Sequence, residues 1–330
     1  MTRHIRYDAW SRADGRTRRE ADGSTAWTSP WCEPGFAFTE LVASWSVTTP
    51  RRTWVEIAAQ ARGSRVWHEL GQWSSGARPA RRTSVTGDPE VETDVWRPAA
   101  AALGYRLRVR LHGSTPELHR IGAVVTAGKV RGTTSSPLRQ RERVIDVPRL
   151  SQMTWKEVGG RGWCSPTSVS MVLCHAGTLP PATDTGSIDV AQAARLVHDP
   201  AWKGTGNWSF NSAWAASLAG NAFITRLHDL RDAERFIDAG LPLVASVAYP
   251  TGSLRGAPTR ATDGHLVVIR GFTAAGGVVT NDPAAPTERS VRRTYDRGDF
   301  ERAWLQGSGG TVYVVHRDDQ PLPSGSRGAW

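Results

Sequence analysis

The stretch YRLRVRLH, residues 105–112, alternates apolar and polar side chains without a break. In an extended chain successive Cβ atoms point to opposite faces, so Tyr105, Leu107, Val109 and Leu111 share one side and Arg106, Arg108, Arg110 and His112 the other. A helix would scatter both sets around its circumference, so this segment is read as a strand with one buried and one solvated face. Similar alternation recurs between residues 36 and 125, in TWVEIAAQ and SRVWHELGQW, with turn-forming SSGARP and TGDPE between the runs. Several short strands without a long helix predict an antiparallel β-sandwich of about a hundred residues.

The pattern breaks between Gly128 and Arg143, where KVRGTTSSPLRQRER is polar, contains proline and has no apolar period. That composition predicts a linker. Beyond it helices and strands mix. CSPTSVSMVLCHAG, IDVAQAARLVHD, NSAWAASLAG and DLRDAERFIDAG read as helices, the last with Asp229 as N-cap and Gly240 as its stop. LPLVASVAY, HLVVIRGF, GVVTND and TVYVVH read as strands, and DDQPLPSGSRGAW reads as a loose tail. The expected organisation is a β-sandwich over 1–128 with a binding or accessory role, a linker over 129–143, an α+β domain over 144–317 and a tail over 318–330.

A chain of 330 residues has room for two such domains. Its formal net charge of +10 raises the question of an anionic partner. Only three lysines accompany 38 arginines, however, and the arginines are spread along the whole chain. With no zinc finger and no RNP-like strand, nucleic acid is not an expected partner. The Arg106, Arg108 and Arg110 stripe leaves two readings open, a grip on an acidic glycan or cell-wall polymer and a merely solvated sheet face. No apolar run reaches the roughly 18 residues a membrane span needs. The N-terminus lacks an apolar signal core, so the expected location is cytoplasmic, or secreted if the chain is a processed form. Cys32, Cys164 and Cys174 are too few for a disulfide framework and form no CxxC pair for structural zinc, and thiol chemistry is expected to need no metal or organic cofactor.

Cys164 has the most unusual neighbourhood. It follows the glycine-rich GGRGW and opens the helical run, where unpaired N–H groups and the helix dipole favour a thiolate. Pro166 suits a first turn, Gly177 supplies a stop, and Val169, Val172, Leu173 and Ala176 form an apolar stripe. Cys174 falls mid-helix among apolar neighbours, as an inert small hydrophobe. A thiol nucleophile needs a base, and His265 lies where the flexible TRATDG meets the apolar strand LVVIRGF. The imidazole in turn needs an orienting acceptor. Asp282, where strand GVVT ends at Pro283, is favoured over Asp263 in the mobile approach and over Asn281, which points to the opposite face. An oxyanion would find donors in the Cys164 backbone N–H and in the side-chain amide of Gln152.

Taken in order, VPRLSQ, GWCSPTSVSMVL, DGHLVVIRGF and GVVTNDPAA resemble the motifs of the peptidase C39-like group of papain-type cysteine peptidases, over about residues 144–316. The resemblance implies a papain-like α+β domain with Cys164 as nucleophile, His265 as base, Asp282 as its orienter and Gln152 in the oxyanion hole. The β-rich first half is similar to the N-terminal region of actinobacterial C39 family peptidases. Members commonly place a TGC before an acidic or small residue, whereas this chain has Gly162, Trp163, Cys164 and Ser165. Trp163 is therefore expected to wall or narrow the cleft. No ATP-binding motif or membrane span follows, so the leader-cleaving exporter role is not transferred. Of the tryptophans clustered in AWKGTGNWSFNSAW, Trp202, Trp208 and Trp214, core packing competes with groove lining, and Trp208 is taken with Trp163 as a substrate contact. The expected function is cleavage of a peptide or amide bond in a peptide or protein substrate through an acyl-enzyme. The alternatives are a transglutaminase or amidase on the same fold, and a glycan- or peptide-binding protein whose papain-like half is inactive.

Overall fold

The computed structural model describes residues 3–75, 83–84, 87–130, 134–179 and 190–330. Its first half is β-rich: β1 (His4–Ser11), β2 (Arg16–Arg19), β3 (Thr25–Thr28), β4 (Glu40–Thr48), β5 (Trp54–Ala61), β6 (His68–Trp73), β7 (Val91–Glu92), β8 (Val95–Trp96), β9 (Tyr105–His112) and β10 (Glu117–Ala127). These strands make two five-stranded antiparallel sheets, ordered β1-β10-β4-β8-β7 and β2-β3-β9-β5-β6. Strand β9 realises its alternation, with all four apolar side chains buried. Ring contacts join the sheets: Tyr105 of β9 lies 6.1 Å from Trp10 of β1, and His68 of β6 lies 5.2 Å from Trp96 of β8. Most of the SSGARP turn and the first residue of TGDPE lie outside the described residues.

Two features of this half come from contacts that the sequence pattern does not show. Strand β1 carries no clean apolar period, yet it pairs with β10 along its whole length. An edge strand draws its order from the partner's ladder, which a local pattern cannot reveal. The arginine stripe, for its part, is engaged within its own face. Arg106 donates to Gln60 at 2.7 Å and its guanidinium sits over the rings of Trp31, at 4.6 Å, and Trp67, at 5.1 Å. Arg108 stacks on Trp67 at 4.3 Å, and Arg110 pairs with Asp22 and Glu56.

The second half contains β11 (Arg143–Val144), α1 (Cys164–His175), α2 (Val190–Val197), α3 (Trp208–Ala219), β12 (Asn221–Arg226), α4 (Leu230–Asp238), β13 (Leu243–Tyr249), β14 (Thr262–Phe272), β15 (Val278–Asn281), β16 (Arg292–Tyr295), α5 (Arg297–Ser308) and β17 (Thr311–His316). One antiparallel sheet, β12-β17-β13-β14-β15-β16, takes β11 as an extra partner of β14. Helix α4 has the expected cap, the Asp229 carboxylate accepting from the Arg231 N–H. Helix α1 is buried nearly all round rather than on one stripe. Its hydroxyls are satisfied inside: Thr167 donates to Trp163 O, Ser170 to Pro166 O, and Ser165 meets the Tyr313 hydroxyl at 3.0 Å.

Of the segment expected to be a linker, residues 131–133 lie outside the described residues, and residues after them bond to this second half. Ser135 donates from its N–H and hydroxyl to the Glu301 carboxylate, Arg297 donates to Ser135 O, and Leu138 N–H donates to Glu234. The expected loose tail is likewise packed. Ala329 is buried, the Trp330 ring lies 4.7 Å from Phe236, and Arg327 pairs with Asp232. Polar, proline-bearing composition signals only that a segment makes no repeating structure; the partners that hold it are remote in the chain.

The two halves share one apolar core. Helix α3 is buried around most of its circumference, its Ser209, Asn211 and Ser212 included. Its Phe210 ring approaches Trp73 at 5.3 Å and Trp45 at 6.3 Å, and its Ser209 hydroxyl donates to Ala43 O of β4. Tyr7 of β1 stacks on Phe223 of β12 at 4.6 Å. The tail crosses the same seam, with Gly328 O accepting from the Tyr7 N–H.

Candidate active site

Cys164 is the first residue of α1. Trp163 at the N-cap has non-helical dihedrals and donates no side-chain cap, so the first-turn N–H groups remain for a negative charge. One turn further on, the Ser168 hydroxyl donates to Leu266 O at 3.1 Å and fastens α1 to the strand residue next to His265. Strand β14 pairs with β15 in a register that sets Val268 opposite Asn281. The chain then delivers Asp282 to the His265 ring, with Nε2 2.7 Å from Oδ1. Asn281, one residue earlier, faces away and donates to Val147 O and Pro148 O.

Asp282 is fully buried and held from two further directions. The Ala284 N–H donates to Oδ1 at 3.0 Å and the Tyr295 hydroxyl donates to Oδ2 at 2.8 Å. Tyr295 had no sequence signal: it is a lone tyrosine at the end of β16, brought here by pairing of that strand with β15. Asp263 is exposed on the approach to His265.

Nε2 is committed to Asp282, which leaves Nδ1 as the ring nitrogen available to the thiol, and the Cys164 thiol and the His265 imidazole each shift the other's ionisation. Burial pushes the Cys164 thiol up, but the hydrogen bond and charge of His265, with the backbone at Leu266 and Ser165, outweigh it and hold the thiol below its ordinary range. Burial pulls His265 down, while the charge and hydrogen bond of Asp282 and the contact with Cys164 raise it to about 10. Burial raises Asp282, and the facing imidazolium together with the Tyr295 hydroxyl lowers it by more. The combined direction favours the thiolate–imidazolium form of the pair, in which a cysteine is both nucleophilic and supplied with a proton for a leaving group.

Gln152 is buried at the cleft. One Nε2 proton goes to Arg161 O at 2.7 Å, and the amide carries a second N–H. A cavity of about 850 Å³ exposes Cys164, Gln152 and His265 together. Trp208 and the half-exposed Trp202 line it, whereas Trp214 is buried in the core. Trp163 is not among its lining residues; its ring packs towards Trp155, at 6.5 Å, and over Gly159. The loop carrying Trp202 and Lys203 is tied down rather than free to swing. The Asp199 carboxylate accepts from the N–H groups of Ala201 and Trp202, and the Thr205 hydroxyl donates to Gly162 O. Among the described residues no three His, Cys, Asp or Glu side chains gather as a metal site.

Residues 144–312 match the model of the Peptidase_C39 like family, so the match spans Gln152, Cys164, His265, Asp282 and Tyr295 and just over half of the chain. The chain belongs to the Peptidase C39-like family. Residues 5–126 match a second model, the Peptidase C39 N-terminal domain, which is the β-rich half. No curated protein matches the chain. Membership of the Peptidase C39-like family points to a hydrolase with cysteine peptidase activity and a peptide substrate. Among the described residues no helix is long and apolar enough to cross a membrane.

Proposed function

We propose that the protein is a cysteine peptidase that cleaves a peptide or amide bond through an acyl-enzyme. The observation that carries this reading is Cys164 and His265 lining one cavity, with His265 held at 2.7 Å by the buried Asp282 and with the thiol lowered and the imidazole raised. The Cys164 thiolate attacks the scissile carbonyl carbon and forms the C–S bond. The oxyanion draws on the Cys164 backbone N–H and the second N–H of Gln152. Collapse breaks the C–N bond, and the leaving amine takes the proton from the His265 imidazolium. Water then adds to the thioester, giving its proton to the imidazole, and the acid departs as the thiolate returns. Asp282 and Tyr295 keep the ring in position throughout. Trp208 is the aromatic substrate contact; Trp163 stiffens the turn behind the nucleophile.

The same reading takes the two facing sheets as a β-sandwich and the second half as papain-like, supported by a cysteine-bearing helix packed on an antiparallel sheet that carries the histidine and the aspartate. The test is peptide-library cleavage by the wild type beside Cys164→Ala, with an added primary amine in a parallel arm. The expected result is acid product from the wild type and none from the variant. Equal cleavage by both would remove the nucleophile, and amide product in preference to acid would make the protein a transferase.

A further inference from the structure

We propose that the β7–β8 hairpin of the N-terminal half is a substrate-contacting wall of the catalytic cleft, and that Thr93 at its tip sets which side chains the cleft accepts. This rests on the hydrolase reading above. Glu92, Thr93, Asp94 and Val95 line the same cavity as Cys164 and His265, although the match to the catalytic family starts only at residue 144. A catalytic half standing alone would leave that side of the cleft open to water.

Thr93 has φ 57°, in the left-handed region that a β-branched side chain rarely adopts. The four described non-glycine residues with positive φ are Arg52, Thr93, Lys203 and Arg327, and two of these, Thr93 and Lys203, line this one cleft. Such conformations persist only where surrounding structure over-determines them, and they concentrate at ligand-binding sites. Here the supports are visible on both sides. The hairpin pairs Val91 with Trp96 and Glu92 with Val95, and Trp96 is fully buried with its indole N–H donated to Glu90. The neighbouring Asp94 carboxylate crosses the seam to accept the backbone N–H of Trp208, at the start of α3. The hairpin tip is thus coupled to the helix that carries the aromatic wall. The facing loop is tied through Thr205 to the turn before the nucleophile. Asp94 is a positioning residue; Thr93 is the side chain presented to substrate. A wall fixed to rigid elements on both sides discriminates by shape without a closing motion.

The experiment uses the full chain and two substitutions that keep the backbone conformation, Thr93→Gly and Thr93→Asn, since both residues tolerate positive φ. Substrate preference is read as kcat/KM over a peptide library, and the integrity of the nucleophile as the rate of Cys164 alkylation by iodoacetamide. Thr93→Gly should change relative kcat/KM at one subsite by about tenfold, the scale of a small side-chain change in a shaped pocket, with Cys164 alkylation unchanged. Thr93→Asn should shift the preference towards smaller side chains at the same subsite. An unaltered profile in both variants overturns the proposal, as does a parallel fall in alkylation and cleavage. A set of peptide aldehydes, scored by protection of Cys164 from alkylation, separates this proposal from the hydrolase reading. If the wild type turns over no peptide, hydrolysis fails, while a protection pattern that differs between wild type and Thr93→Gly still supports the wall and an identical pattern overturns it.

Discussion

Cys164 and Cys174 stand on one helix, yet the first thiol is held below its ordinary range and the second is pushed up to about 12. Burial acts on both in the same direction. What differs is the charge nearby: Cys164 has the amides of the helix start and the His265 imidazolium, whereas the shift at Cys174 is caused by burial. Reactivity here is a property of the end of the helix and of a charge delivered from a distant strand. Cys32 makes the same point from the other half, where burial and a hydrogen bond to Asp8 also raise the thiol to about 12.

The contrast is broken most directly by iodoacetamide at pH 7. A thiol at about 12 is ionised to only about one part in 10⁵ there, so Cys164 should label more than about 10³-fold faster than Cys174, read by peptide mapping. Comparable rates would end the distinction. Asp282→Ala tests what keeps the charge in place. It leaves a buried imidazolium without its partner and should cost about 3–5 kcal/mol in urea unfolding, whereas Cys174→Ala should cost less.

The pH dependence of that cost has a definite sign. His265 is raised to about 10, so its contribution is fully present below 6.5 and lost as pH climbs through about 10. Asp282 is lowered, so its contribution is present above 3.8 and lost as pH falls through its folded value. The difference in unfolding free energy between wild type and Asp282→Ala should therefore be largest between about pH 4 and 6.5 and shrink towards pH 10. A difference that grows with pH would contradict the ion pair.

His265→Ala sharpens the comparison from the histidine side. With the His265 charge removed, Cys164 should label markedly more slowly at pH 7 while Cys174 is unaffected, because a thiol that has lost that support is less ionised. The smallest expected effect is that of Tyr295→Phe, which removes one hydrogen bond to a carboxylate and should cost about 1.5–3 kcal/mol at most. Its diagnostic is an upward shift of the pH at which the Asp282 contribution to unfolding free energy is lost, at the acid end of the profile, because the carboxylate has lost a donor that lowered it.

The parts of the site legible in the chain are those written in short windows. Cys164 is announced by a glycine-rich approach, a first-turn proline and an apolar run, and the structure places it at the start of α1. His265 and Asp282 are announced by loop-to-strand and strand-to-proline boundaries, and antiparallel register brings them to 2.7 Å. Trp163 shows the limit of reading by adjacency: being next to the nucleophile in sequence does not say which way a side chain leaves a helix N-cap, and this ring turns to Trp155. Tyr295 and Thr93 were illegible for a different reason, since each is an ordinary residue that gains its place from pairing or docking remote in the chain.

Sequence by itself determined the alternation that makes the first half β-rich, the capped helices of the second half and the order of thiol, imidazole and carboxylate. These depend on periodicity and on caps, which operate within a few residues. Only the tertiary structure decided that the arginine face stacks on its own tryptophans, that the closing segment packs across the seam, and that the N-terminal half supplies a wall of the cleft. Those outcomes depend on burial shared between segments far apart in the chain, and burial is a property of the assembled surface that no single window contains.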